Sequence, residues 1–457
     1  MKNLWRIIAA PLALSGASLD GEPGIDITIY TDNQALVQDT RQVTFTGERQ
    51  TVEFKNVSAQ IRPETATLAS PGIHIIEQNF DYDLLSPAKI MENAVGQTIT
   101  LVRTNPASGA ETREQAVVLA ANGGVVLQIG NRIEVLRDDG LPVRVIFDKV
   151  PPNMRADPTL SMTLQAPAGT REAALRYLTP GLGWRADYVA LFEEGADGNV
   201  GKIDVQGWVT LTNNSGVTYA NADTVLVAGT PRLVGNGGGD PGIGAMVEAG
   251  TESGTRGRLG DYYLYPIAAP TTIANLQTKQ VSFLDVHGAP AVHGYEAVFD
   301  WMQNSTTPLN VATNYQFSSS AQGGLGDQLP AGIVRFYIRD ARGSPQFIGE
   351  HAIGHTPMGS RLSITTGQAF DVKVQPVMES RSKAGSSRWK TAMRYTVSNA
   401  LPKPVKVSVV QAGLSGDTRI AEQSQPNAWK DADRAGWLVE VPANAKAELT
   451  VTFDTRY

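Results

Sequence analysis

Ile25-Asp26-Ile27-Thr28-Ile29-Tyr30 alternates apolar and polar side chains at every step. A period of two sends successive side chains to opposite faces of an extended chain, so one face can be buried and the other wetted. The same beat recurs in Val43-Thr44-Phe45, Thr98-Ile99-Thr100-Leu101-Val102, Ile203-Asp204-Val205, Trp208-Val209-Thr210-Leu211-Thr212 and Val405-Lys406-Val407-Ser408-Val409. Across 457 residues, 45 Gly and 26 Pro are spaced as turn punctuation, not gathered into low-complexity tracts. Helical periodicity is nearly absent. The best short helix covers residues 86–95, with Ser86 as N-cap and Pro87 at the first helical position. These signals predict an all-β chain of tandem Ig-like β-sandwich modules, with a small SH3-like barrel inserted near the N-terminal unit.

The units follow from the turn signals. A strand-rich unit is expected over residues 25–90. The small inserted β-barrel covers 91–150, where several tight hairpins surround a Gly123-Gly124 turn. A β-sandwich over 151–280 carries a Gly-rich loop at 234–260, read as a flexible linker. A second sandwich spans 281–378, and a C-terminal Ig-like sandwich spans 379–457. One pattern appears three times: an aromatic-bearing strand ends in Asn and a second strand returns after a polar turn. The three instances run from Trp208 to Asn213, from Phe299 to Asn304 and from Tyr395 to Asn399. Asn suits that place because its side chain can close an Asx-turn.

The N-terminus reads as a secretory signal over residues 1–17. Lys2 and Arg6 supply positive charge, residues 7–14 a short apolar run, and Ser15-Gly16-Ala17 a small-residue cleavage site. The run is about half the ~20 residues that cross a bilayer, so no transmembrane anchor is expected after cleavage. The chain has no cysteine. Disulfides, thiolate metal sites and Cys nucleophiles are therefore excluded, and stability must come from packed cores. The formal charge is −6. Losing Lys2 and Arg6 makes the mature chain more acidic, which argues against a nucleic-acid partner.

Candidate chemistry is sparse. Of five histidines, His351 and His355 stand at i, i+4, and His287 and His293 share a parity in the sequence. The helical zinc motif needs Glu directly after the first His, but Ala352 stands there. On strands, all four could still converge as a metal site. No GxSxG elbow occurs. The acid pairs Asp81/Asp83 and Glu193/Glu194 are neighbours in sequence only. Residues 237–242 match GxGxxG formally, without the helix and βαβ unit that a nucleotide site requires. No cofactor is called for. Most tryptophans are expected as plugs between sheets. Trp429, in a polar stretch, and Tyr262, Tyr263 and Tyr265, after the Gly-rich loop, are candidates for binding a sugar or a protein partner.

The segment RYLTPGLGWRADYVALF (176–192), followed by GWVTLTNNSGVTYANADTVLVAG, resembles the core signature of the bacterial family named for domain of unknown function 4139. Its relatives include mucoidy inhibitor A-like proteins. Thr278-Lys279-Gln280-Val281, Leu329-Pro330-Ala331-Gly332, FIGEHAIGHTPMGSRLSITTGQAFDV (347–372) and the N-terminal strand unit are similar to it as well. Such relatives often carry a coiled coil between their halves, where this chain has its short unit at 95–136. The resemblance implies the β-fold and export and supplies no catalytic residues. Taken together, the sequence predicts an exported, periplasmic or surface-exposed protein of the bacterial cell envelope. It is read as a structural or binding module for a protein, a glycan or another copy of itself. The alternative is a metal-dependent or other hydrolase acting on envelope polymers through the His351/His355 region.

Overall fold

The computed structural model describes residues 19–31, 33–81, 85–136, 143–149, 154–195, 199–229, 231, 246–254, 256–414, 417–431 and 433–456. The predicted signal at 1–17 lies outside the described residues. So does the first half of the Gly-rich stretch, including the GxGxxG match. The structure is 66% strand and 3% helix, which makes the chain all-β. The predicted helix forms as Pro87–Asn93, and the Ser86 hydroxyl accepts the Lys89 N–H at 3.1 Å.

The alternation at 25–30 does what its period dictates. Ile27 and Ile29 are fully buried, while Thr28 and Tyr30 on the other face stay partly exposed. Burying each such side chain stabilises by roughly 1.5–3 kcal/mol. The strand Leu19–Tyr30 runs antiparallel to Gln34–Phe45 and parallel to Tyr219–Ala228. Gln34–Phe45 pairs along its whole length with Gly169–Pro180. A three-stranded sheet of Arg49–Lys55, Thr159–Gln165 and His74–Asp81 joins the same core through Val52, Phe54, Leu160 and Met162. The first sandwich is therefore woven from residues on both sides of the inserted module.

That module is a five-stranded sheet with its own core of Ile99, Leu101, Val118, Leu127 and Ile129, onto which the helix packs Met91. Its entry and exit are adjacent, since the Leu85 N–H donates to the Arg155 carbonyl at 2.8 Å.

Thr67–Ala69, Arg258–Leu259, Tyr262–Pro266 and Thr271–Ile273 complete the first sheet, and a fourteen-stranded sheet holds the remaining described strands. Leu182–Glu194 and Val200–Asn213 form a hairpin, and Gln277–Phe299 pairs beside it. Gly332–Arg339 runs parallel to Leu182–Glu194, and Pro345–Ile353 lies outside it. Three strands serve two cores. Gln277–Phe299 places Ala289 and Ala291 in the first core and Tyr295, Ala297 and Phe299 in the second. Arg361–Lys383 does the same with Leu362 and Ile364, then Val372 and Val374. Leu309–Ser318 contributes Tyr315 and Phe317 to the first core and Val311 to the second. The sequence boundaries at 280/281 and 378/379 thus fall inside continuous 23-residue strands. Gly288, Gly294 and Pro376 read as turn residues but sit within these strands; Gly288, at φ +69°, makes a bulge.

The second core is closed by Arg388–Asn399, Val405–Gln411, Arg434–Val441 and Ala445–Arg456, around a fully buried Trp437. Among the other tryptophans, Trp184 is buried, and Trp208, Trp301 and Trp389 are partly exposed. Two of the three predicted Asn turns are the same device. Asn213 Oδ1 accepts the Ser215 N–H at 3.0 Å, and its amide donates to the Val217 and Ile273 carbonyls. Asn399 repeats this with the Leu401 N–H and the carbonyls of Lys403 and Pro442. Asn304 differs: it is exposed and accepts the Met378 N–H from a neighbouring strand.

The described half of the Gly-rich stretch is a strap pinned across the end of the sheet. Met246–Glu248 pairs with Arg361–Lys383, and the Gly250 N–H donates to Ser360 Oγ. A Cβ on Gly250 would lie 2.0 Å from the Met358 carbonyl oxygen, and one on Gly254 would lie 2.2 Å from Gln328 Oε1. Glycine serves close approach at these two positions, in place of the free linker expected from composition. Arg256 locks the strap: its Nε lies 3.0 Å from both Asp327 oxygens, and its guanidinium stacks 4.3 Å from the Tyr265 ring centroid.

Candidate functional site

The four candidate metal histidines are dispersed. The shared parity of His287 and His293 is cancelled by the bulge, where His287 and Gly288 together oppose the single residue Asp204. His287 therefore points outward, with its ring nitrogens 3.5 Å from Asp204 and 3.4 Å from Asp285. His293 turns inward and stacks on Tyr315, ring centroids 4.9 Å apart. His351 lies on Pro345–Ile353 opposite Val334. His355 falls past that strand's end, where its Nδ1 accepts the Ala331 N–H at 3.2 Å, so the i, i+4 rule for a strand face does not apply. Among the described residues, no three His, Asp or Glu side chains converge in a way that could hold a metal ion.

The acid pairs are likewise engaged. Glu193 pairs with Arg339, Glu194 with Lys403, and Asp81 lies near Arg155 and accepts from Ser161; Asp83 lies outside the described residues. Of the tyrosines, Tyr265 is buried and donates to the Gln328 carbonyl at 3.0 Å. Burial, then the Asp327 charge, pushes its phenol far up. Tyr262 and Tyr263 are partly exposed, and Arg258 covers the Tyr263 ring at 4.8 Å. The Trp429 backbone pairs with Ala435; its side chain lies outside the described residues.

What the fold does build is a cleft at the seam between the two cores. It has a volume of about 320 Å³. Gln277–Phe299 supplies His293 and Tyr295, and Leu309–Ser318 supplies Thr313 and Tyr315. Ile338 and Ile348 form a second wall, Leu401 a cap, and residues 366–372 a third side. That third side exists because Arg361–Lys383 leaves its register. Lys373 stands opposite Asn310 and Gln368 opposite Ala312, so five steps on one strand face two on the other. The excess residues bow out and put Phe370 on the rim, 87% exposed. Thr366 is one residue over in a second irregularity of the same pairing. Gly349 packs so closely there that a Cβ would come within 2.2 Å of the Thr366 carbonyl oxygen. The Asn399 turn completes the enclosure by fixing Leu401, while the Ala400 N–H donates to the Asp371 carbonyl.

The interior is aromatic. His293 is stacked on Tyr315 and edge-on to Tyr295, and Tyr315 stacks in turn on Phe336. Burial pushes the Tyr315 phenol up to about 12, and that of Tyr295 rises through burial and the Asp371 charge. Both phenols stay protonated donors at neutral pH. Thr313, Thr366, Gln368 and Asp371 add polar groups to the lining, and outside it the Asn310 amide donates to Gln368 Oε1 at 3.0 Å while Lys373 donates to Asn310 Oδ1 at 2.7 Å. An apolar, aromatic pocket with a few polar groups is the common chemistry of a small-ligand site. Comparison with protein families and with curated proteins returns no match to this chain. Apart from His293, which the sequence offered only as a metal ligand, the cleft residues escaped the sequence reading because they come from six separated segments. Gln368-Ala369-Phe370-Asp371-Val372 reads as ordinary strand, and only its misfit to a clean period of two marks a bulge.

Proposed function

We propose that this chain is an exported protein of the bacterial cell envelope that works by binding, and that its ligand enters the seam cleft. The observation that carries the reading is the cleft itself, with an exposed Phe370 beside a buried aromatic cluster. An exposed ring on a polar rim suits stacking against a sugar or gripping a side chain of a partner. Export rests on the N-terminal charge, apolar run and small residues, together with the resemblance of residues 176–192 and 347–372 to the domain-of-unknown-function 4139 family. That resemblance rests on the motifs alone. No described helix is long and apolar enough to cross a membrane, which is compatible with a chain lacking a helical anchor.

The test combines cell fractionation with chemical crosslinking in the native cell. The expected result is a processed chain, shortened near Ala17, in the periplasmic or surface fraction. It should give crosslinked species that disappear when Ala369→Trp fills the cleft. An unprocessed cytoplasmic chain, or crosslinks indifferent to that substitution, would overturn the proposal. The hydrolase alternative is tested by metal content: stoichiometric metal lost in the His351→Ala, His355→Ala double variant would restore it.

A further inference from the structure

We infer that the seam cleft takes a ligand carrying a primary ammonium group on a compact body, with Asp371 as its counter-charge and Phe370 and Tyr295 as its aromatic wall. This rests on the cleft being the binding site.

Asp371 lines the cleft and is partly buried. Among the described residues, its carboxylate has no hydrogen-bond or ion-pair partner, while its backbone carbonyl accepts the Ala400 N–H. The nearest cation along the strand, Lys373, is committed to Asn310. A ligand that seals the cleft must strip water from this carboxylate. A neutral ligand without donors would leave an uncompensated charge in an apolar site, and an anion would add repulsion. An ammonium group supplies the opposite charge and up to three N–H donors. Its charge also suits a position over the exposed Phe370 ring, with the Tyr295 ring close behind. A quaternary ammonium would satisfy the rings but donate nothing to Asp371. The volume of about 320 Å³ is at the small end for ligand sites, enough for one sugar ring or one amino-acid side chain. An amino sugar and a lysine side chain present the same ammonium chemistry.

The experiment is isothermal titration of the purified mature protein with four probes: glucosamine, N-acetylglucosamine, N-acetyl-lysine amide and norleucine amide acetylated on nitrogen. The same titrations are run on Asp371→Asn, with its thermal unfolding compared to wild type to establish that it folds. The expected result is saturable binding of at least one ammonium probe. Its neutral counterpart should bind at least tenfold more weakly, and Asp371→Asn should lose at least tenfold for the ammonium probe alone, ~1.4 kcal/mol. The tighter of the two ammonium probes identifies sugar or side chain as the source. Equal binding of neutral and ammonium probes, unaffected by Asp371→Asn, would overturn the inference and leave the cleft as the site. No binding of either ammonium probe also overturns it. The cleft reading itself falls separately, if Ala369→Trp leaves the native-cell crosslinks intact.

Discussion

Replacing Asn399 with Ala should unfasten the second core at one point. Asn399 is 3% exposed. Its Oδ1 accepts the Leu401 N–H at 2.9 Å, and its amide donates to the Lys403 and Pro442 carbonyls at 2.9 Å each. At about 1 kcal/mol net per hydrogen bond, three such bonds are worth about 3 kcal/mol. The backbone groups left behind in a buried turn raise the cost toward about 4 kcal/mol. Asn304 provides the control, because it is exposed and accepts one bond, from Met378 at 3.1 Å. Asn304→Ala should cost less than about 1 kcal/mol. The assay is urea unfolding followed by tryptophan fluorescence, to which the buried Trp437 contributes from the second core. With m near 2–3 kcal/mol/M, Asn399→Ala should lower the midpoint of that core's transition by about 1 M or more. Asn399→Asp, which keeps the acceptor and loses the donors, should fall between. A midpoint for Asn399→Ala within about 0.2 M of wild type, or equal shifts for the 399 and 304 variants, would refute the assignment of the turn's stability to that amide.

Three other outcomes follow from the same structure. Asp327→Asn should destabilise by about 2–3 kcal/mol, since it breaks a largely buried pair with Arg256, and it should expose the strap at 246–260 to proteolysis; an unchanged digestion rate would contradict the strap's anchoring. Burial alone would push the Asp187 carboxyl up, but hydrogen bonds from Thr210, Arg335 and Arg185 outweigh it and hold the group below the usual carboxylate range. The stability it contributes is therefore present above the unfolded value near 3.9 and lost as pH falls through the lower folded value; thermal melts from pH 5 to 2.5 should show a shallower acid loss for Asp187→Asn. Replacing residues 86–153 with a short Gly-Ser linker should leave the two large cores folded, because the inserted module has its own core and its ends meet at Leu85 and Arg155; loss of the cooperative transition of either core would show that the module is integral.

The core strands were legible because one face of them is buried, as Ile27 and Ile29 show against Thr28 and Tyr30. Local chemistry was legible too, in the Ser86 cap and the turns at Asn213 and Asn399. The domain boundaries were not, because Gly288 and Pro376 carry the marks of turns while sitting inside long strands. A bulge is the physical reason that parity failed for His287 and His293: one extra residue swaps every side chain beyond it to the other face. The cleft was hidden for the same cause. Its third side is a register slip in Arg361–Lys383, and its walls come from strands whose pairing no local pattern encodes.

The most direct measurement is site-specific photocrosslinking in living cells from a photoreactive residue at position 370, compared with one at 347. Both native side chains are exposed phenylalanines, and only Phe370 borders the cleft. A cell-envelope component captured from 370 and not from 347 is the predicted result. Equal capture from both positions, or capture from 347 alone, would contradict the seam cleft as the place where this protein binds.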